Sequence, residues 1–407
     1  MNTTPQEMKH SLISYFRNGE GSGKYLGVEI EHFTVEKETG KAVPYAGERG
    51  VQAILQELET HYSIRRDYRE EDYLGFETEE FTITLEPAAQ VEISIAPKER
   101  IASVKEIYED FRAHLDPILS SYGYELSTLG YQPKSRVDDL ILIPKERYRL
   151  MDAHFSHTGD GHGGREMMRG TASTQISIDY SSEADFREKI RAIAFLTPLI
   201  QLLCDNVTAF EGSPFSGHLK RTDIWRRTDP ARCGLPPHVF DASYGYGDYA
   251  DYLLDMPMIL FHKGETTLST GMDTPKEIYA HRTFDAEDVR HVLSMAFPDV
   301  RLKSYLEIRG ADSLPEEKML AYCAFIKGIL YSGEGLMECG RMINDLKIGE
   351  GDVQRAQDDL MEKGWQGMLY GQRAEDFAAG LLKLAERNLP REEQEFLLPF
   401  LKDRRLY

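Results

Sequence analysis

The sequence predicts an α+β protein, and three features of it carry that expectation. First, four stretches from distant parts of the chain alternate acidic or amide residues with Val, Ile or Leu at the two-residue period of a strand. They lie at 27–32 (Gly-Val-Glu-Ile-Glu-His), 84–94, 174–179 and 305–309. Second, the segments between them space apolar residues three and four apart, as helices do. Third, the pattern from about residue 313 onward is helical. With no internal repeat, low-complexity tract or linker, the expected organisation is one catalytic domain over 1–407, with a helical C-terminal portion over about 313–407.

Taken in order, the residues up to about 20 carry a short helical pattern. Strands are expected near 25–36, 79–85 and 90–96, with helical spacing at 51–58 between the first two. A longer helix is expected over 102–121, where Val104, Ile107, Tyr108, Phe111 and Leu115 form one stripe. Residues 124–131 read as a further strand, and the glycine-rich 159–164 as a flexible loop before the third acidic strand. Ser182 followed by Asp185 resembles a capping box. It opens a helix reaching about Asn206, kinked at Pro198. Residues 207–247 are rich in Gly, Pro, Arg and Tyr with little periodicity, which marks an irregular segment with a functional use. The C-terminal helices break near Gly333 and Gly335, and again near Gly349 and Gly351.

Composition narrows the function classes. The chain has 48 basic and 68 acidic residues, a net charge of −20. That argues against nucleic-acid backbone or an anionic membrane as partner. No run of eighteen apolar residues exists to span a membrane, and the first residues lack the basic-then-apolar pattern of a secretory signal. Cys204, Cys233, Cys323 and Cys339 are widely spread and read as reduced thiols, so a cytoplasmic monomer or homodimer is expected.

The chemistry is suggested by what shares a strand face. Glu29 and Glu31 look one way while Val28 and Ile30 look the other. Gln90, Glu92 and Ser94 repeat the pattern, as do Gln175, Ser177 and Asp179, and Glu307 with Arg309. One such stretch is also what a solvent-facing strand looks like. Four of them, with few basic residues mixed in, are better explained by a shared cation, because like charges across strands repel. Hard oxygen ligands suit Mg²⁺ or Mn²⁺, and Mg²⁺ held by carboxylates usually comes with phosphates. Arg221, Arg226, Arg227, Arg232 and Arg309 supply planar forks for carboxylate or phosphate. His32 and His162 lie near these strands, but no Ser-His-Asp or Cys-His arrangement is evident.

The ordered set 27–33, 85–94, 167–175, 179–185, 221–225 (Arg-Thr-Asp-Ile-Trp) and 301–312 resembles the glutamate–cysteine ligase family of plant and proteobacterial type. The resemblance covers about residues 25–312. It implies the glutamine-synthetase-like fold, in which a curved antiparallel sheet surrounded by helices forms the active site. It implies ATP, Mg²⁺, L-glutamate and L-cysteine as reactants, with γ-glutamylcysteine made through an acyl phosphate. By match to the family's strands, Glu29, Glu31, Glu86, Glu92, Gln175 and Glu307 are expected as metal ligands and Arg309 as the catalytic, phosphate-facing arginine. Arg221, and less directly Arg232, are expected to bind substrate carboxylate. Where family members usually carry Gly-Gly, this chain has Ala88-Ala89; where they carry Arg-Thr, it has Gly170-Thr171, with Arg169 one position earlier. Two alternatives stay open on sequence alone: a carboxylate–amine ligase for another amine, and an inactive nucleotide- or glutamate-binding sensor.

Overall fold

The structure, a computed structural model, describes residues 3–69, 72–263 and 266–402. After helix α1 (Pro5–Arg17), strand β1 (Leu26–Glu36) is followed by α2 (Val51–Glu59). Four more strands come next: β2 (Arg66–Arg69), β3 (Tyr73–Glu77), β4 (Phe81–Leu85) and β5 (Val91–Lys98). Helix α3 (Ile101–Ser121), β6 (Tyr124–Ser127), α4 (Glu146–Phe155) and β7 (Ser173–Ile178) complete the first half. Two further strands, Val300–Leu302 and Leu306–Asp312, join the same sheet from far along the chain. Across it the order is Val300–Leu302, Leu306–Asp312, β7, β1, β5, β4, β3, β2, with β6 paired to the far end of β1. Every pairing in this nine-stranded sheet is antiparallel.

The alternation in sequence becomes a two-faced sheet. Val28, Ile30, Ile93 and Ile176 are fully buried. Helix α3 packs on β5 and β6, and the helix Glu183–Leu203 packs on Leu306–Asp312. Ser182 caps the latter, its hydroxyl accepting from the Asp185 N–H, and the helix continues through Pro198 to Leu203. The C-terminal helices Glu316–Leu330, Gly333–Leu346 and Glu350–Lys363 pack outside this layer, the first on α3 and the other two on Glu183–Leu203. One continuous core runs from Met8 to Phe400.

Three expectations are corrected. The strand after α3 ends at Ser127, and Tyr131 makes only an isolated bridge with Thr171. Residues 163–165 form a helical turn, and the preceding loop is pinned by the Asp160–Arg227 ion pair. The stretch 207–247 is not irregular throughout: Lys220–Thr228 is a helix whose buried positions are Arg221, Thr222, Ile224 and Thr228. With one apolar residue among four buried positions, it carries no hydrophobic period.

Candidate active site

The polar face of the sheet lines a cavity of about 530 Å³. Register explains what meets there. Glu31 lies directly opposite Glu92 on β5, and Glu92 opposite Thr84 on β4. One pair along, Glu29 lies between Ser94 on β5 and Gln175 on β7. Glu86 comes from the turn after β4, held by its N–H donating to the Gln90 carbonyl, by its carbonyl accepting from the Ala89 N–H, and by the Gln90 side chain accepting from the Ala88 N–H. Ala89 in this turn has φ of +65°, the left-handed region that favours glycine.

Of the residues expected at the site, Glu29, Glu31, Glu86, Glu92, Gln175, Arg221 and Arg309 line this cavity. Glu307 and Arg232 do not. Glu307 is fully buried behind it, one oxygen accepting from Arg301 at 2.6 Å and Arg309 at 2.9 Å, the other from Lys303 at 2.9 Å. Arg232 is buried against Asp229 at 2.6 Å, and its other N–H groups bond the Met295 and Pro257 carbonyls, so it serves the fold there. Arg226 pairs with Asp358, and Arg227 with Asp160, Glu166 and Asp223. Arg169 is held by Asp152 and the Leu140 carbonyl. His32 points to the other face of β1, bonded to Tyr108, and burial lowers it to about 3.

Sequence reasoning gave no role to Arg147, Tyr148, Trp225, Arg290, Arg301, Lys303 or Tyr305, which also line the cavity. Arg301 and Lys303 could have been found: they share a strand-like spacing of two, and Arg301 sits opposite Glu307 in the hairpin. Arg147 comes from α4, whose sequence carries no comparable signal.

The electrostatics divide the cavity in two. On the acidic wall, burial first and then repulsion from a neighbouring carboxylate raise three carboxyls: Glu29 upward beside Glu307, Glu86 to about 7 beside Glu31, and Glu92 well above the usual range beside Glu29. Glu31 is better satisfied, accepting from the Ser173 N–H at 2.8 Å and the Gln175 amide at 3.1 Å. On the basic side, burial acts against Glu307 but Arg301, Lys303 and Arg309 outweigh it and hold its carboxyl well below the usual range. Gln175 joins the two halves, donating to Glu31 and accepting from Arg309 at 2.5 Å. Trp225 stacks near both Arg221 and Arg309, whose guanidinium carbons lie 5.3 and 5.7 Å from its ring.

Among the described residues no three His, Cys, Asp or Glu side chains stand together as a ready-made metal cage. The glutamates share a wall without meeting at one point. That suits an ion such as Mg²⁺, which takes one or two carboxylates and keeps its remaining positions for water and phosphate. Half-buried carboxyls that have no bonded cation among the described residues are the observation that makes this donor set fit a hard divalent ion.

An antiparallel sheet with an acidic wall on one side and clamped guanidinium groups on the other defines a protein that handles a small, highly charged substrate. The comparisons with known proteins narrow this. Residues 25–395 match glutamate-cysteine ligase family 2 (GCS2), and the chain belongs to that family. It is 30% identical over 399 residues to the chloroplastic glutamate–cysteine ligase of Arabidopsis thaliana, spanning 94% of this chain and 74% of the relative. It is 30% identical over 394 residues to chloroplastic glutamate–cysteine ligase B of Oryza sativa subsp. japonica, at 94% and 78% coverage. A crystal structure of glutamate–cysteine ligase from Francisella tularensis in complex with AMP superposes with a TM-score of 0.53 at 11% identity, covering 94% of this chain and 82% of that one. The fold is therefore the glutamine-synthetase-like α+β arrangement that the sequence led us to expect.

Proposed function

We propose that this protein joins the γ-carboxylate of L-glutamate to the amine of L-cysteine at the expense of ATP, the first step of glutathione synthesis. Family membership across residues 25–395 carries the assignment. The cavity supports it, because both partners of the first step are anions and the site supplies means to neutralise them. In that step a γ-carboxylate oxygen attacks the terminal phosphorus of ATP, giving γ-glutamyl phosphate and ADP. In the second, the cysteine nitrogen attacks the acyl carbon, the C–O bond to phosphate breaks, and the nitrogen loses its proton.

Glu29, Glu31, Glu86 and Glu92 would hold Mg²⁺, with Mn²⁺ as a substitute. When bound, the ion neutralises phosphate charge and acts as a Lewis acid. Gln175 and Glu307 belong in this assignment to the arginine side, since the Gln175 oxygen and both Glu307 oxygens already accept from Arg309, Arg301 or Lys303. Arg309 uses Nη1 for both of its side-chain bonds, and among the described residues Nε and Nη2 have no hydrogen-bond partner. A guanidinium held this way is preorganised to meet charge developing on the transferred phosphoryl group.

We also read the chain as one catalytic domain in which the helical C-terminal portion from about residue 313 braces the sheet's helical backing, supported by the Lys327–Glu393 ion pair at 2.7 Å and the Glu393 bond to the Ile101 N–H at the start of α3. The four cysteines are free, in keeping with a cytoplasmic setting. The deciding experiment measures phosphate release with glutamate, then replaces cysteine by hydroxylamine to trap the acyl phosphate as the hydroxamate. Release should require glutamate and a divalent cation. Phosphate release that ignores glutamate rejects the ligase. A preference of about ten-fold or more in kcat/KM for another amine rejects cysteine as the acceptor.

A further inference from the structure

Of the four carboxylates on the acidic wall, Glu86 alone sits outside a strand. A ligand carried on a turn is placed only as well as the groups around it are fixed. One side of this turn is braced by the segment that leads into and opens α4. There the Ile143 N–H donates to the Pro87 carbonyl at 2.9 Å, and the Tyr148 hydroxyl to the Leu85 carbonyl at 3.3 Å. The other side is held by Gln90. It shares a strand face with Glu92 by the two-residue period and lines the cavity, yet it is only 1% exposed. Its Oε1 accepts from the Ala88 N–H at 2.8 Å, and its Nε2 donates to the Thr171 carbonyl at 3.0 Å and the Met168 carbonyl at 3.3 Å. These neighbours fix which way the amide points, since a backbone N–H needs the oxygen and two carbonyls need the nitrogen. Both amide hydrogens are in use, and a carboxylate side chain, with no N–H, could not replace them.

Met168 and Thr171 belong to the next wall of the cavity. Residues Glu166–Gly170 form a π-helical turn, the wide kind that recurs at functional sites. The Thr171 hydroxyl closes it by donating to the Met167 carbonyl at 2.7 Å. Met167, Met168 and Thr171 all line the cavity, as do Glu86 and Pro87. The helix Lys220–Thr228, which carries Arg221, packs on this wall from outside. Among the described residues, the Gln90 amide makes the hydrogen bonds that join the Glu86 turn to it. We infer that Gln90 is a positioning residue, whose amide sets the Glu86 carboxylate and the wall of Met168 and Thr171 at one separation. A cation at Glu86 and a substrate against that wall are then registered to each other before either binds. The inference rests on the ligase reading above for the substrate, and adds to it a residue that acts through its neighbours. Such registration matters because a misplacement of about 1 Å between reacting groups can cost on the order of 10²-fold in rate.

The test is Gln90→Met, which keeps an unbranched side chain of similar length but removes its donors and its acceptor. Calorimetric titration of the whole chain with Mn²⁺–ADP and with L-glutamate reads the two sides without turnover. Each affinity should fall by about ten-fold or more, the usual effect of removing a group that orients a ligand. Gln132→Met is the control for loosened packing. Gln132 is also fully buried, its Nε2 donating to the Gly40 carbonyl at 2.9 Å and its Oε1 accepting from the Lys134 N–H at 2.6 Å, and it does not line the cavity. Its replacement should leave both affinities within about two-fold of the wild type. A smaller loss in Gln90→Met, a loss confined to one ligand, or an equal loss in Gln132→Met overturns the inference. So does a wild type that binds Mn²⁺–ADP no better than ADP alone, since Glu86 then seats no cation. If both affinities fall as expected but the wild type forms no hydroxamate, Gln90 stands and the ligase falls. If hydroxamate forms and Gln90→Met binds as the wild type does, the ligase stands and the role of Gln90 falls. Should Gln90→Met fail to fold, Gln90→Asn, whose amide is one methylene too short to span turn and wall, is judged by the same limits.

Discussion

Replacing Glu92 by Gln should make the metal-free protein more stable and the enzyme inactive. Glu92 faces Glu31 across the β1–β5 pair and lies within electrostatic reach of Glu29 and Glu86. Its bonded partners among the described residues are hydroxyls, Thr84 at 2.8 Å and Ser94 at 3.4 Å. At about 6 Å, the scale of facing strand positions, and an effective dielectric of about 20, one like-charge pair costs roughly 3 kcal/mol. Proton uptake already relieves part of this in the wild type, and the neutral amide bonds Thr84 more weakly by about 1 kcal/mol. The net gain is then about 1–2 kcal/mol, or roughly 1–4 °C in Tm for a chain of this size. The sign follows from linkage. A carboxyl whose folded pKa is raised above the unfolded value of 4.5 destabilises the fold increasingly as pH climbs from the one value through the other. The advantage of the variant should therefore be absent near pH 4.5 and grow as pH rises toward and through the folded pKa, so that it is larger at pH 8. Calorimetric melting in EDTA at both pH values checks this. Titration with Mg²⁺ should then stabilise the wild type more than the variant, whose turnover should fall by on the order of 10² or more. A variant that melts below the wild type at pH 8 in EDTA would show Glu92 to be a net stabilising acceptor and refute the acidic wall as a cation seat.

Arg309→Lys keeps the charge but loses the fork, so turnover should fall by on the order of 10² while Tm barely moves; steady-state kinetics beside circular dichroism separates this from a folding defect. Glu307→Gln strips the shared carboxylate from Arg301, Lys303 and Arg309 and should cost about 3–5 kcal/mol, read from denaturant midpoints at pH 7. Because Glu307 is held below its usual 4.5, the wild type's advantage is present above that value and should shrink as pH falls through the folded pKa. Ala89→Gly removes left-handed strain of about 1 kcal/mol but loosens the unfolded chain by about 0.4–1 kcal/mol, so Tm should be unchanged or slightly higher, with activity retained.

What the sequence disclosed depended on whether position along the chain encoded position in space. Glu29, Glu31 and Glu92 were legible because a two-residue period in a strand fixes a face and β1 adjoins β5, whereas Glu86, in the turn after β4, was reached through the family resemblance. Arg221 and Arg232 show where that stops. Both lie in the same arginine-rich segment, yet one opens on the cavity while the other is buried against Asp229. The Asp229–Arg232 spacing of three was the available hint that the second arginine had a local partner. Arg147 had no such signal. Its bonded partner, Ser294, arrives from far along the chain, so its surroundings are set by tertiary packing alone.

Glu307 and Glu92 look alike in sequence, each an acid alternating with Ile or Val, and the structure gives them opposite electrostatics. The difference lies in the adjacent strand. Beside Glu307, the Val300–Leu302 strand places Arg301 directly opposite, and Lys303 follows at the turn. Beside Glu92, β1 places Glu31 opposite, and β4 offers only Thr84. The centre of the sheet is thus left with negative charge only partly offset by cations at a distance, while one side is neutralised by cations bonded directly to Glu307. On the function proposed above, a nucleotide carrying divalent cations on its phosphates would match this gradient in one orientation, its metal side toward Glu29, Glu31, Glu86 and Glu92 and its transferred phosphoryl group toward Arg309. Reversing it would set phosphate oxygens against the glutamates and cations against three buried positive charges. On this account the polarity of the sheet, and not any single residue, fixes which end of the nucleotide meets the donor carboxylate.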